Sequence, residues 1–332
     1  MKAAVIHRYG GNEEVRLEAL PDPTPGDDDL LVRVRAASIN PVDHKIRDGG
    51  TKVLLKYRFP LILGNDLAGV VEAVGRNVSR FAPGDEIYAR LDKDRIGAFA
   101  EKALVRESAA ARKPTTVDMV GAASLPLVGL TSWQALVDLG GLRPGQRVLI
   151  HAGSGGVGTF AIQLAKHLGA EVATTVGQRN AALVRELGAD VVIDYRTQRF
   201  EDVVRDCDLV FDTQGEGTLL RSFDVVKRGG VVVTVGGKPD AKFAKAWGVS
   251  PLIVLLLRVL MRKPTRLARQ RGVRFEYLFM HADGAQLAHL SEIVDAGHVK
   301  PVIDRTFPLA EVKDALAYVE AGRATGKVVI TV

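Results

Sequence analysis

The sequence predicts an α/β protein of two domains: a mainly β portion, and a parallel sheet wound by helices. Three observations carry this. From Met1 to about Ala110, short β-like runs alternate with turn residues. From about Met119, apolar runs alternate with helical stretches. From about Arg271 the character is mixed again, and the chain ends on a β run, KVVITV.

In the first portion the runs are KAAVIH, LLVRVRAASI and GVVEAVG, followed by the turn Ala82-Pro83-Gly84-Asp85 that leads into EIYAR. Strand-like runs punctuated by Gly and Pro predict an antiparallel, barrel-like half. In the middle, RVLIHAG, VVIDY, DLVFD and GGVVVTVGG are continuous apolar runs rather than alternating ones. Parallel strands covered on both faces read this way. No internal repeat or low-complexity segment interrupts the chain.

Composition agrees. At 332 residues, 47% hydrophobic and 25% charged, the chain can bury a sizeable core, and its length suits two domains. Disorder and a collagen-like structure are excluded. The formal charge is only +6. A single cysteine, Cys207, cannot form an intrachain disulfide or a Cys-rich zinc site, so we expect a reducing compartment. The N-terminal MKAAVIHRYGG is too short in apolar residues for a signal peptide, and no apolar run approaches about 18–20 residues. A cytoplasmic protein is expected.

The strongest local signal is Gly153-Ser154-Gly155-Gly156-Val157-Gly158, which follows the run RVLIHA and opens the helical stretch TFAIQLAKHLGA. Gly153, Gly155 and Gly158 satisfy G-x-G-x-x-G in a strand–turn–helix context, with EVATTV as the next strand. The first glycine permits the tight turn, the second lets backbone approach a pyrophosphate, and the third lets helix and strand pack closely. This predicts a dinucleotide. NAD-selective sites place a carboxylate about 20 residues on. Here the strand ends Thr174-Thr175-Val176-Gly177-Gln178-Arg179-Asn180, with no acid. Arg179 can pair with a 2′-phosphate, Thr175 and Gln178 can add hydrogen bonds, and NADPH is expected over NADH. The alternative for Arg179 is a solvated arginine that opens the next helix. Gly236 and Gly237, after the run VVVTV, are further cofactor candidates.

These features, with Ser38-Ile39-Asn40-Pro41-Val42-Asp43, Leu63-Gly64-Asn65-Asp66-Leu67-Ala68-Gly69, Phe81-Ala82-Pro83-Gly84-Asp85, Gly97-Ala98-Phe99-Ala100-Glu101, Gly129-Leu130-Thr131 and Leu187-Gly188-Ala189-Asp190, make the chain resemble the medium-chain dehydrogenase/reductase superfamily. Within it, the likeness is to the zinc-independent quinone oxidoreductase, or zeta-crystallin-like, branch. The resemblance implies a Rossmann doubly wound parallel sheet inserted into a GroES-like, mainly β catalytic domain, with the active site in the cleft. We place the catalytic domain at 1–122 and 265–332 and the NADP-binding domain at 123–264. It further implies that Asn40 and Asp43 face the nicotinamide, that Thr131 sits near the cofactor, and that Tyr195 lies near its adenosine end. Each has a plainer alternative: a turn around Pro41 for Asn40 and Asp43, a helix cap for Thr131, and a strand-end aromatic for Tyr195.

Zinc members of the superfamily hold the catalytic metal with Cys, His and a second Cys or an acid. Here Asn40 stands where the first Cys would be, and Gly64-Asn65-Asp66 replaces Gly-His-Glu. No metal is expected. Without a Lewis acid the acceptor must already be activated, so quinones and α,β-unsaturated carbonyls fit. The expected chemistry is hydride transfer from NADPH, with Asn40 as a donor to the developing oxyanion. Tyr57 is a candidate proton donor or a partly buried aromatic. Lys45 stands where relatives that reduce enoyl thioesters carry a tyrosine; it is an anion-binding or proton-donating group, or a solvated charge. The competing reading is an NADPH-binding sensor or assembly protein with little turnover, and an enoyl-thioester reductase ranks below both.

The resemblance also implies a homodimer. The apolar run 252–257, broken by Arg258 and followed by Arg266, Arg269, Arg271 and Arg274, reads first as a lid or dimer-contact helix. Peripheral membrane contact through 252–274 is its second reading. No aromatic platform or motif supports nucleic-acid binding there.

Overall fold

The computed structural model describes residues 1–239, 241–248 and 250–332. They form two compact units, Met1–Leu130 with His281–Val332, and Thr131–Met280.

The first unit begins with β1 (Lys2–Ile6), β2 (Arg16–Ala19) and β3 (Asp29–Ile39), followed by α1 (Pro41–Arg47). It continues through β4 (Leu61–Ile62), β5 (Asp66–Val74), β6 (Glu86–Arg90), β7 (Lys102–Arg106) and β8 (Ala110–Arg112), then α2 (Met119–Ala123) and α3 (Pro126–Trp133). Each run expected from sequence in this portion is a strand. β3 is central: it pairs antiparallel with β5 and β7. Its burial alternates along Val32–Ala36, as expected where one face meets the core and the other water.

The second unit holds β9 (Arg147–Ile150), α4 (Gly156–His167), β10 (Glu171–Val176), α5 (Ala181–Glu186), β11 (Val191–Asp194), α6 (Phe200–Val203), β12 (Cys207–Asp212), α7 (Glu216–Ser222) and β13 (Val226–Thr234). After these come α8 (Ala241–Ala246), α9 (Pro251–Leu260), α10 (Arg262–Arg271) and β14 (Arg274–Tyr277). The sheet is parallel throughout, in the order β11-β10-β9-β12-β13-β14. Strand order reverses between β9 and β12, and ligands of such sheets bind outside the carboxyl ends at that switch point. Leu149, Ala173, Val210 and Val232 of four adjacent strands are buried in one cluster with Phe200, Leu219, Phe223 and Ala268 from the covering helices. Cys207 belongs to this cluster, and burial pushes its thiol up to about 12. It packs as a small hydrophobe.

The chain then returns to the first unit through α11 (Gly284–Asp295), β15 (Ile303–Pro308), α12 (Val312–Glu320) and β16 (Lys327–Thr331). β16 lies antiparallel against β3, with Val328 opposite Ile39 and Val329 opposite Ser38. The last strand thus joins the seven-stranded sheet built around β3, which is separate from the sheet β2-β1-β4 of the first residues.

The units divide at 130/131 and 280/281, whereas the sequence reading places the boundaries at 122/123 and 264/265. β14 runs parallel to β13 from Val231↔Arg274 to Thr234↔Tyr277, so the Rossmann unit continues to Met280. Four residues, RFEY, two of them charged, offered no apolar run to mark this strand. At the other boundary, the Leu127 amide donates to Asp66 Oδ1 at 3.1 Å, which ties the start of α3 to the first unit.

Candidate active site

In the second unit the phosphate-binding turn is built from two strands. Ala152 leaves β9 in the left-handed region, at φ 56°. Its amide donates to Thr175 Oγ1 at 3.1 Å, and the Gly153 amide donates to the Thr175 carbonyl at 3.0 Å. Thr175 therefore holds the turn from beneath, and it is buried. Its hydroxyl, which the sequence reading assigns to a 2′-phosphate, is engaged by the Ala152 amide and by His151. A Cβ on Gly153 would stand 2.2 Å from Thr174 Oγ1, and one on Gly158 would stand 2.3 Å from the Ala152 carbonyl oxygen. Neither position accepts a side chain. A Cβ on Gly155 would meet only the Ala152 oxygen, at 3.4 Å. Space thus remains beside Gly155, at the N-terminus of α4, where unpaired amides and the helix dipole favour an anion. Ser154, Gly155, Gly156 and Val157 are half-buried around it.

The neighbouring carboxyl ends join this turn. Thr213 Oγ1 donates to the His151 carbonyl at 3.0 Å. Asp212 is fully buried, and it accepts from the amides of Gln214 and Gly215 and from Thr234 Oγ1 at 2.8 Å. Burial raises its carboxyl above the usual range. Gly236 and Gly237 pack on the loop this creates: a Cβ on Gly236 would fall 2.5 Å from the Gly215 amide nitrogen. His151 bridges Thr175 Oγ1 at 3.1 Å and Ser222 Oγ at 3.2 Å, and burial drives it down to about 3, so it is neutral at working pH. Asp212, Thr213 and Gly215 do not stand out in sequence because the turn TQGEG after DLVFD lacks the G-x-G-x-x-G spacing, and His151 reads as part of the run RVLIHAG.

Beyond β10, Gln178 and Arg179 are exposed. Tyr195 is 60% exposed, and its phenol edge lies 3.7–3.8 Å from where a Cβ on Gly177 would be. The guanidinium of Arg196 sits 5.8 Å over the Tyr195 ring. An aromatic face and two exposed arginines thus occur at the ends of adjacent strands, with no acid at the end of β10. Thr131 is buried within α3 rather than at its start, so it is not the helix cap.

In the first unit, strand register assembles a buried polar cluster. Ser38 pairs with Asp66 across β3 and β5, and β16 brings Lys327 beside the end of β3. Lys327 Nζ donates to the Ile39 carbonyl at 3.0 Å and to Asn40 Oδ1, and lies 3.8 Å from Asp66 Oδ2. Asn40 Nδ2 donates to Asp66 Oδ2 at 2.9 Å and to the Ser38 carbonyl at 3.3 Å. Asp43 closes a capping box on α1, accepting the Asn40 amide at 2.7 Å, and also accepts from Asn65 Nδ2 at 2.7 Å.

This arrangement places the four catalytic candidates of the sequence reading in different surroundings. Both amide hydrogens of Asn40 are already donated inside its own unit, and the residue is 1% exposed. Both hydrogens that the sequence reading assigns to an oxyanion thus already have acceptors, Ser38 and Asp66. Lys45 lies on the exposed side of α1. The Tyr57 hydroxyl donates to the Lys93 carbonyl at 2.6 Å, and burial holds the phenol above its ordinary range, against the pull of Arg90. A raised phenol is a poorer proton donor. Of the four candidates, only Asn40 and Asp43 share a site, and sequence reasoning missed its cation, Lys327.

A zinc ion does not fit here. The positions that would carry ligands hold Asn40, Asn65 and Asp66, and an ammonium group already bonds to one of them and faces another. Among the described residues no group of three His, Cys, Asp or Glu side chains is placed to hold a metal.

Burial raises Asp43 to about 7, with Asp66 adding to the rise and with Asn65, Asn40 and Lys327 opposing it. The unpartnered Asn65 Oδ1 supplies the neutral form with an acceptor: turning that amide over lets it receive a proton from Asp43. The folded state keeps this proton where the unfolded state releases it. Stability is therefore lost as pH rises from about 4 to about 7, at up to about 1.4 kcal/mol per unit. Denaturant midpoints of Asp43→Asn should fall less steeply over that window than those of the wild type; parallel slopes would remove Asp43 from the titration.

Comparison with known proteins accords with this construction. Residues 26–115 match the alcohol dehydrogenase GroES-like domain, and residues 187–330 match the zinc-binding dehydrogenase family. The chain is 36% identical to the mitochondrial NAD(P)H oxidoreductase RTN4IP1 of Mus musculus, over 100% of this chain and 89% of that protein. It is also 36% identical to a chloroplastic NADPH-dependent alkenal/one oxidoreductase of Arabidopsis thaliana, over 99% of this chain and 79% of that protein. The solved quinone oxidoreductase of Coxiella burnetii superposes with a TM-score of 0.86 at 32% identity, covering 100% of this chain and 99% of that one. With this fold, this glycine turn and a donor set unsuited to zinc, the chain belongs to the medium-chain dehydrogenase/reductase superfamily, in its zinc-independent quinone oxidoreductase branch.

Proposed function

We propose that this enzyme is an NADPH-dependent, zinc-independent reductase of quinones or other conjugated carbonyls. The observation that carries the reading is the open space beside Gly155 at the start of α4, followed by an end of β10 that presents Gln178 and Arg179 and no carboxylate, with Tyr195 exposed after β11. The turn Gly153–Gly158 holds a pyrophosphate, Arg179 and Gln178 hold a 2′-phosphate, Tyr195 flanks the adenosine, and Gly236 and Gly237 border the nicotinamide end. Bound there, NADPH supplies a hydride. The buried cluster supports the acceptor class, because Asn40, Asn65 and Asp66 with Lys327 beside them do not make a zinc site that would activate a simple aldehyde. The names of the Arabidopsis and Coxiella relatives support both acceptor types.

The test is NADPH oxidation against a benzoquinone, an α,β-enone, an enoyl thioester and a simple aldehyde. Turnover with the quinone or enone, and none with the aldehyde, is expected. In the same assay Arg179→Ala should raise KM for NADPH by roughly 10- to 100-fold and leave NADH unchanged, the loss of one charge-assisted pair. Aldehyde turnover equal to that of the quinone, or an unchanged cofactor preference, would overturn the corresponding assignment.

A further inference from the structure

We infer that α9 and α10 form a docking surface for an anionic phospholipid bilayer. Leu252, Leu255, Leu256, Val259 and Leu260 are 43–80% exposed, and they recur at i, i+3, i+4, i+7 and i+8, one face of the helix. Among the described residues no other element carries such a set: the remaining exposed large apolar side chains are scattered singly. The opposite side of α9 is anchored through Leu257, and α10 packs into the core of its unit through Ala268. The stripe is thus presented by a fixed support.

Charge identifies the occupant. Between Asp240 and Glu276 the sequence holds nine lysines and arginines and no acid, whereas the whole chain carries +6, so the rest of the chain is −3. Arg258, Arg262, Lys263, Arg266 and Arg269 are all exposed. Among the described residues none of these five makes an ion pair, unlike Arg271, which binds Asp224. A second copy of the chain meeting this face about a two-fold axis would bring two such clusters together. Nucleic acid would satisfy the charges and leave the apolar stripe in water. An anionic bilayer satisfies both, since the stripe enters the acyl boundary while the basic side chains reach the headgroups. Neither helix is long and apolar enough to cross a membrane, so the contact is in-plane.

The test is vesicle flotation of the full chain. The protein should float with phosphatidylcholine–phosphatidylglycerol vesicles, not with phosphatidylcholine alone, and high salt should release it. Leu252→Ser/Leu256→Ser and Arg262→Glu/Arg266→Glu should each lower the bound fraction at least about tenfold, with NADPH oxidation in vesicle-free buffer unchanged. These side chains are exposed, and melting curves check that the variants fold. Failure to float with anionic vesicles, or equal flotation of wild type and both variants, overturns the proposal. So does sedimentation showing that Leu252→Ser/Leu256→Ser converts a dimer to a monomer, because the stripe would then be covered by a second copy.

Discussion

Replacing Gly158 with alanine is expected to abolish measurable NADPH binding and to destabilise the Rossmann unit. The added methyl carbon would stand 2.3 Å from the Ala152 carbonyl oxygen, 2.7 Å from Gly153 Cα and 2.8 Å from the Gly153 carbonyl carbon. All three are backbone atoms, so no side-chain rotation relieves the overlap, and α4 must move away from β9. Overpacking of this kind costs about 3 kcal/mol or more, enough for a loss of at least two orders of magnitude in affinity if it falls on the bound turn. Gly155→Ala separates folding from ligand approach. Its methyl meets nothing nearer than 3.4 Å, and Gly155 already has φ −78° and ψ 168°, which alanine adopts freely. It should melt like the wild type yet bind NADPH weakly, because the methyl fills the space the pyrophosphate needs. Fluorescence titration with NADPH and thermal melting on both variants decide the matter. A Gly155→Ala protein with wild-type affinity would mean that the cofactor does not lie on this turn.

These two glycines also show what the sequence makes legible. The turn, its strand and its helix are contiguous, so spacing alone identifies them. The strands of the first unit are equally plain, since KAAVIH, LLVRVRAASI, EIYAR and KVVITV fall on β1, β3, β6 and β16. The buried cluster is different. Lys327 meets Ile39 across 288 positions of sequence, and the contact exists only because Val328 pairs with Ile39 rather than with a neighbour. A one-residue slip would turn every side chain of β16 to the other face. No local pattern encodes that register. Thr175 illustrates the same limit on a smaller scale, because its place after the glycine turn predicts a ligand contact, while its side chain points back into the turn it supports.

Lys327→Met is expected to destabilise the first unit by about 3–5 kcal/mol, the usual cost of leaving a buried charge without its partner. The carboxylate left behind is Asp66, which is fully buried with Lys327 Nζ 3.8 Å from its Oδ2. Ser38 Oγ, Asn40 Nδ2 and the Leu127 amide would still donate to it, and none of them is a cation. Melting of that unit should drop by roughly 6–20 °C. Asn40 Oδ1 would lose its partner in the same step, while the Asn40 side-chain amide keeps Asp66 Oδ2 and the Ser38 carbonyl as acceptors. The pH dependence has a definite sign. Burial already raises Asp66 above its ordinary value, and removing the ammonium raises it further. The variant's deficit should therefore grow as pH rises and shrink as pH falls toward the ordinary carboxyl value of 3.8. Adding Asp66→Asn should recover most of the loss, since the pair is then neutral on both sides, and the double-mutant cycle reads the coupling directly. A Lys327→Met protein that melts with the wild type would show that Asp66 is protonated at neutral pH and needs no cation, and the ammonium would then serve Ile39 and Asn40 alone.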